Sequence, residues 1–510
     1  MLKFTLVTLA VHLVCGYKVL LFFPFPGKSH TILGEGYVRH LVNAKHDVTY
    51  VTPMPIKSSA PNLRQIDVAS NIDDFALEQN LNFKKLLKTN IVLYDALNNF
   101  AKNAIKHEKV QKLLLDTNEE FDVAIVEWLD SELYAGIPAV FNCPYIWSSS
   151  METHPMVLRL IDEVPNPAYV PDHSSPVIPP LTFIQRVSQL WKLILTYKTK
   201  DQNSMDTKAF NEAYGPAFAK RGRPIPSFED IKFNASLMLG NSHVSSGLAL
   251  RLPPNYIQIA GYHIKKETPP LPKELKKIMD NAQYGVIYFS LGTMIKGKTM
   301  PQELKAGFLK TFSELKQVVI WKFEEQLPNL PNNVYIVKWA PQPSILAHSN
   351  TILFITHGGL LSTTETVHYG VPIIGIPLFA DQFYNVKRAV SKGFAMHVPL
   401  SHSTPIDLKA AIEEILLEPK YLTKVKELSM VYHDRPVSPG DELVHWVEHV
   451  AKTRGAPHLR SVALLVPWYQ KLYLDLLVLI FAIIFSTLIA IIFIVKRILN
   501  IITIDKKKMN

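Results

Sequence analysis

Lys18-Val-Leu-Leu-Phe-Phe23, Pro24-Phe-Pro-Gly-Lys-Ser-His30 and Asp47-Val-Thr-Tyr-Val51 together decide the fold. The first is an apolar run of strand length, the second a loop punctuated by proline and glycine, and the third another short β-branched run. Between them, the residues through Arg39 and Leu41 read as a helix. Strand, loop, helix and strand in that order predict an α/β protein with a parallel, doubly wound sheet. Phe121-Asp-Val-Ala-Ile-Val126 adds a later strand of that sheet, buried on both faces.

The pattern then starts again. Pro253, Pro254, Pro269, Pro270 and Pro272 interrupt regular structure between Arg251 and Lys273, which marks 251–273 as a linker. After it come a helix from Glu274 to Asn281, a strand from Gly285 to Phe289 and the loop Ser290-Leu-Gly-Thr293. A helix from Pro301 to Leu315 and a strand from Val318 to Trp321 follow. The stretch from Val164 to Pro180 is a proline-rich loop. We therefore expect one α/β domain over 17–250 and a second over 274–445, with 446–475 a returning helix and juxtamembrane segment. At 510 residues and 48% hydrophobic content, two domains with appendages are the default. Ligands of open α/β sheets bind beyond the carboxyl ends of the strands, so the cleft between the two domains is the expected site.

Composition removes several function classes. The net charge of +10 comes from 54 basic and 44 acidic residues, and Lys496, Arg497, Lys506, Lys507 and Lys508 crowd the end of the chain. The remainder forms no basic stripe, so no nucleic-acid partner is expected. Cys15 and Cys143 are the two cysteines, which leaves no cysteine-rich metal site; Cys143 reads as a small buried hydrophobe. His243, His263, His402 and His433 lack paired spacing with acidic residues, so no metal is expected.

Both ends carry targeting features. Residues 1–16 have a cationic start, an apolar run from Phe4 to Val14 and the small Gly16, the layout of a cleavable signal peptide. Leu476 to Val495 is uncharged and long enough to cross a hydrocarbon core of roughly 30 Å. Trp468, Tyr469 and Tyr473 precede it, and Lys496 and Arg497 follow, so the tail 496–510 belongs on the cytosolic side. The ending Lys507-Lys-Met-Asn510 resembles a dilysine retrieval signal of the endoplasmic reticulum. The expected arrangement is a single-pass type I protein of that membrane with lumenal domains, and Asn234-Ala-Ser236 is a glycosylation sequon on the lumenal side.

The densest chemistry lies between Trp339 and Asn385. The chain reads Trp339-Ala-Pro-Gln342, Phe354-Ile-Thr-His-Gly-Gly359, Ser362, Glu365, Gly370-Val-Pro372 and Asp381-Gln-Phe-Tyr-Asn385. Phe354 and Ile355 end a buried strand, Gly358 and Gly359 let the backbone approach a ligand, and Ser362 to Glu365 begin a helix. A helix amino terminus beside paired glycines suits a pyrophosphate. His357 can donate to a phosphate oxygen, and Trp339 offers a face to a base. Glu365 can accept from ribose hydroxyls, while Asp381 and Gln382 mix acceptors and donors as sugar hydroxyls require.

In this order and spacing, these residues resemble the donor signature of the UDP-glycosyltransferase family, and the resemblance runs over nearly the whole chain. Thr356-His-Gly-Gly-Leu-Leu-Ser-Thr-Thr-Glu365 is similar to the insect branch. The resemblance implies a GT-B fold, with an amino-terminal acceptor domain facing a carboxyl-terminal donor domain. It implies that Trp339 stacks on uracil, Gln342 lies near the uridine and Glu365 binds ribose. His357, Ser362 and Thr293 then meet the diphosphate, and Asp381 with Gln382 reads the sugar. The implied activity is inverting transfer of a hexose from a UDP-sugar to a small lipophilic acceptor, in detoxification or in hormone or pigment conjugation, without a metal.

Transfer needs a base for the acceptor hydroxyl, and a neutral imidazole suits that role. By the resemblance the base is His30. The family's partner is an aspartate just after the strand 121–126, where this chain has Glu127. Glutamate keeps the charge on a longer stem; the alternative is Asp130, from the next turn. We expect the acceptor pocket to draw on Asn71–Lys106 and the loop around Tyr169. Glucose is favoured over glucuronic acid, because no dedicated basic residue for a C6 carboxylate is legible. A membrane-lipid glycosyltransferase, a catalytically impaired binding homologue and a homo-oligomer stay open.

Overall fold

The computed structural model describes residues 16–70, 83, 94–172, 175, 177–200, 203–294 and 296–508. The expected signal peptide, apart from Gly16, lies outside the described residues, as do 71–82 and 84–93 of the expected acceptor stretch. Up to Arg460 the chain forms one compact unit.

That unit holds two parallel sheets. The first contains β1 (Lys18–Phe22), β2 (Asp47–Thr52), β3 (Leu63–Asp67), β4 (Val123–Trp128), β5 (Tyr145–Ser149), β6 (Leu237–Gly240) and β7 (Tyr256–Gln258). Their order is β3-β2-β1-β4-β5-β6-β7. The second contains β8 (Val286–Ser290), β9 (Val318–Lys322), β10 (Val334–Val337), β11 (Thr351–Thr356), β12 (Ile373–Gly375) and β13 (Ala395–His397), in the order β10-β9-β8-β11-β12-β13. Central strands are buried along most of their length, as continuous apolar runs demand. Trp128 and Trp147 pack beneath the first sheet and Trp321 beneath the second.

Each sheet starts in its middle. β1 lies between β2 and β4, and β8 lies between β9 and β11, so the winding reverses at the β1/β4 and β8/β11 pairs. Crevices open at such reversals because neighbouring connections leave to opposite faces.

The helices that matter for the site are α1 (Lys28–Asn43), α2 (Phe183–Lys200), α3 (Gln342–Leu346), α4 (Leu360–Tyr369) and α5 (Gln382–Ser391). A further helix, α6 (Pro439–Lys452), follows the second sheet and returns to the first, where Leu443, Val447 and Val450 pack with Tyr37, Val38 and Leu41 of α1. Two local details differ from expectation. α1 begins at Lys28, so His30 occupies its first turn rather than the preceding loop. β4 extends through Trp128, so Glu127 is a strand residue and not the one after the strand. The proline-rich stretch after Arg251 carries β7, the outermost strand of the first sheet.

Residues Ser461–Asn510 form a separate unit. Its helix α7 (Leu474–Lys508) is the one helix, among the described residues, long and apolar enough to cross a membrane, over Leu474–Ile502. The helix continues past Lys496 and Arg497, since both are good helix formers and change only the solvent preference.

Candidate active site

Both winding reversals open into one cavity of about 1240 Å³, walled by loops of both sheets. On the first side, β1 feeds the turn at Gly27, the N-cap of α1. A Cβ at Gly27 would come within 2.9 Å of the His30 ring and 2.8 Å of Phe25, so this close approach requires glycine. Phe25 meets the imidazole edge-on, with centroids 4.6 Å apart. β4 supplies the carboxylate: Glu127 Oε1 lies 2.5 Å from His30 Nδ1. Glu127 is buried, while the His30 side chain is 16% exposed.

A carboxylate only accepts, so Nδ1 carries the proton and Nε2 is the nitrogen able to take another. The contact thus selects the tautomer and stabilises the imidazolium once it forms. Asp130 follows β4 with φ 53 and lines the same cavity, but the carboxylate on the imidazole is that of Glu127. Burial, with a smaller contribution from the Glu127 charge, pushes the Tyr134 hydroxyl up, so it stays protonated.

On the other side β11 ends at Thr356, and His357-Gly358-Gly359 turns the chain into α4. Gly358 has φ +79, and a Cβ there would also run into Val386. Gly359, Leu360, Leu361 and Ser362 line the cavity, which brings the amino-terminal turn of α4 to it. Burial, and secondarily the Lys322 charge, lowers the His357 pKa to about 4. At neutral pH it is therefore a neutral donor. Thr293 reaches the wall through Gly292, whose φ is +81 and which sits against the His357 ring.

Gln342 joins Tyr288, Ser362 and Glu365 into a network. Its Nε2 donates to Glu365 Oε2 at 2.5 Å and to Ser362 Oγ at 3.0 Å, and its Oε1 accepts from the Tyr288 hydroxyl at 3.3 Å. Trp339 is 58% exposed at the cavity wall, with Lys28 Nζ 5.9 Å from its ring centroid. Asp381 precedes α5 without capping it; its Oδ2 accepts from Asn385 Nδ2 at 2.9 Å. Gln382 Oε1 accepts from the Leu378 and Phe379 amides at 2.9 and 3.2 Å, which leaves Nε2 as the donor on a buried side chain.

The cavity therefore gathers His30, Asp130, Thr293, Trp339, Gln342, His357, Gly359, Ser362, Glu365, Asp381 and Gln382 in its wall, with Glu127 behind His30 and Gly358 in the turn. Asn234 lies elsewhere, exposed, its Oδ1 accepting from Arg460. Tyr169 is also exposed and outside the wall, which its loop reaches through Asp172. Leu97 brings the described part of the 71–106 stretch to the cavity.

Some residues escaped the sequence reading. Asn385 also donates to the Gly358 carbonyl at 3.1 Å, tying Asp381 to the glycine turn; its spacing from Asp381, one helical turn, was a usable signal. His263 Nε2 stands 3.7 Å from Glu365 Oε1, and Lys322 Nζ donates to the Gly292 carbonyl at 3.1 Å. Neither carries a local sequence signal. Among the described residues, no three His, Cys, Asp or Glu side chains are grouped to hold a metal ion.

Two parallel α/β sheets whose loops share one cavity are the architecture of the GT-B class of glycosyltransferases. The solved glycosyltransferase VinC in complex with dTDP superposes with a TM-score of 0.58 at 14% identity, covering 86% of this chain and 100% of that one. A UDP-glucosyltransferase from Polygonum tinctorium gives 0.53 at 16%, covering 86% and 99%. These likenesses show the fold. The chain belongs to the family described as UDP-glucoronosyl and UDP-glucosyl transferase, whose pattern matches residues 27–508. UDP-glucosyltransferase 2 of Dactylopius coccus is 35% identical over 477 residues, covering 91% of this chain and 89% of the relative. Human UDP-glucuronosyltransferase 2B15 is 29% identical over 510 residues, with 93% of each chain covered. The protein is accordingly an enzyme that transfers a sugar from a UDP-sugar to an acceptor.

Proposed function

We propose that this enzyme transfers glucose from UDP-glucose, with inversion, to a hydroxyl of a small lipophilic acceptor in the lumen of the endoplasmic reticulum. The observation that carries the reading is the His30–Glu127 pair at 2.5 Å, with His30 lining the same cavity as Trp339, Gln342, His357, Ser362, Glu365, Asp381 and Gln382. Uracil stacks on Trp339, the ribose hydroxyls meet Glu365, and the diphosphate meets the start of α4 with His357, Ser362 and Thr293. Asp381 and Gln382 hold the hexose. His30 Nε2 takes the acceptor proton as its oxygen attacks the anomeric carbon from the face opposite UDP. Glu127 stabilises the imidazolium, and the α4 terminus stabilises the departing diphosphate.

Phe25, Leu97, Leu129 and Met156 line the first sheet's side of the cavity, which favours an apolar acceptor. Glucose is supported by the name of the Dactylopius coccus relative and by the pairing of two of the basic residues that line the cavity. Lys322 is paired with Glu324 and Lys28 stands 3.6 Å from Glu35, so neither is set aside for a sugar carboxylate. Microsomes containing the expressed chain, given labelled UDP-glucose or UDP-glucuronic acid over a panel of phenols, test this directly. Labelled product from UDP-glucose is expected; product from UDP-glucuronic acid alone would overturn the sugar assignment.

A further inference from the structure

His263 lies on the stretch of chain between β7 and β8, and α1 fixes where it stands. Arg39 donates through Nη1 to the His263 carbonyl at 3.3 Å and through Nη2 to the Tyr262 carbonyl at 2.5 Å. His40 Nε2 donates to the Tyr262 carbonyl as well, at 2.9 Å. The helix comes closest at Gly36, where a Cβ would lie 2.9 Å from the Tyr262 ring and 3.2 Å from the His263 Cα. Held in this way, His263 lines the cavity, where its Nε2 lies 3.7 Å from Glu365 Oε1 of α4. The His263 side chain is 1% exposed and that of Glu365 7%. Among the described residues neither ring nitrogen of His263 has a hydrogen-bond partner. A buried polar atom in that position costs free energy until something bonds to it.

We propose that His263 is a further ribose-binding residue, which shares one ribose hydroxyl of the UDP-sugar with Glu365. The proposal rests on the function given above, in which Glu365 meets the ribose. At 3.7 Å the two side chains are too far apart to bond each other, yet one hydroxyl oxygen can sit about 2.8 Å from both atoms. A carboxylate only accepts, whereas a hydroxyl both donates and accepts. The ribose oxygen therefore donates to Glu365 Oε1 and accepts from His263 Nε2, which carries the ring proton where it faces the carboxylate. Glu365 Oε2 is already engaged, accepting from Gln342 Nε2 at 2.5 Å, and this leaves Oε1 on the His263 side. The pair demands a group that is donor and acceptor at once, so it selects a ribonucleotide over one lacking that hydroxyl. His263 also brings the helix of the catalytic base into donor binding, because Arg39 and His30 both belong to α1.

The test is calorimetry of the full chain in detergent with UDP, 2′-deoxy-UDP and 3′-deoxy-UDP. The unsubstituted chain should bind one of the two deoxy nucleotides about tenfold or more weakly than UDP, because His263 and Glu365 both lose their partner. His263→Leu should weaken UDP by about tenfold and leave that deoxy nucleotide nearly unchanged, so the ratio between the two narrows. His263→Phe, which keeps a planar ring without a donor, should do the same and carries the test if the leucine variant does not fold. His263→Gln retains an amide donor and should recover part of the ratio. In the same variants KM for UDP-glucose should rise with kcat little changed, as expected of a contact made equally in ground and transition states. A merely structural role would weaken all three nucleotides alike. An unaltered ratio in His263→Leu or His263→Phe would therefore overturn the proposal even if UDP affinity falls, and would leave Glu365 as the ribose residue. Equal binding of all three nucleotides by the unsubstituted chain would instead overturn the assignment of ribose to Glu365, and His263 with it.

Discussion

Position 127 is where one methylene group matters most. Glu127 reaches His30 from inside β4, and shortening it to aspartate withdraws the carboxylate by about 1.5 Å, the length of one C–C bond. We expect His30→Ala to abolish transfer and Glu127→Ala to lower kcat by about 10² to 10⁴, with UDP binding preserved in both. Glu127→Asp should retain part of the activity, and Asp130→Ala should be nearly silent in the same steady-state assay. A crippling Asp130→Ala with a mild Glu127→Ala would move the catalytic carboxylate to the following turn. For the sugar, Asp381→Ala should weaken UDP-glucose binding more than UDP binding, by about 0.5 to 1.5 kcal/mol per neutral hydrogen bond. Gln382→Ala is less selective, because Oε1 also braces the Leu378 and Phe379 amides. Gln382→Glu keeps those acceptors and removes the amide donor, so calorimetry with UDP and UDP-glucose should show the sugar-specific loss there.

At the scale of elements, α5 couples the two sheets. It begins with Gln382 in the cavity wall and carries Arg388, whose Nη2 lies 3.2 Å from Glu152 Oε1. Glu152 follows β5 of the first sheet, and both side chains are buried. Burial pushes the Glu152 carboxyl up against the opposing pull of Arg388. Removing one partner of such a pair strands the other charge. Arg388→Met should therefore cost about 3–5 kcal/mol in denaturant unfolding, and adding Glu152→Leu should recover much of it. Equal losses in the single and double variants would show that the pair is not coupled. The donor KM of Arg388→Met should rise as well, since α5 starts at Gln382, one of the two residues proposed to hold the hexose.

For the whole molecule, acid sensitivity follows from buried imidazoles. His243, His357 and His368 are each lowered from the usual 6.5 to about 4, in every case chiefly by burial. Between those values the unfolded chain binds more protons than the folded one, so stability is full above about pH 6.5 and is lost as pH falls toward 4. Melting temperature should drop over that window, and the drop should be shallower in His368→Gln. Topology is a second property of the whole chain. Asn234 is exposed, which leaves its amide nitrogen open to a glycan. We expect endoglycosidase to shift the mobility of the wild-type chain and not of Asn234→Gln. Protease added to intact microsomes should remove a tail epitope and spare the main unit; digestion of the main unit with the tail protected would reverse the orientation.

The sequence alone determined the two parallel sheets, the apolar helix near the carboxyl end and the run of polar residues from Trp339 to Asn385 that the fold gathers at one cavity. Each of these is written in neighbouring residues, as a run, a turn or a fixed spacing within one element. Tertiary structure decided what depends on chain segments far apart. It joined Glu127 to His30 rather than leaving the choice with Asp130, and it placed His263 beside Glu365 and Lys322 near His357. It also turned the apolar stripe of α2 outward, because Gln189 is held by the segment at Asp172 and Ser175. Periodicity reports that a helix has two faces; only long-range packing selects which of them meets the protein.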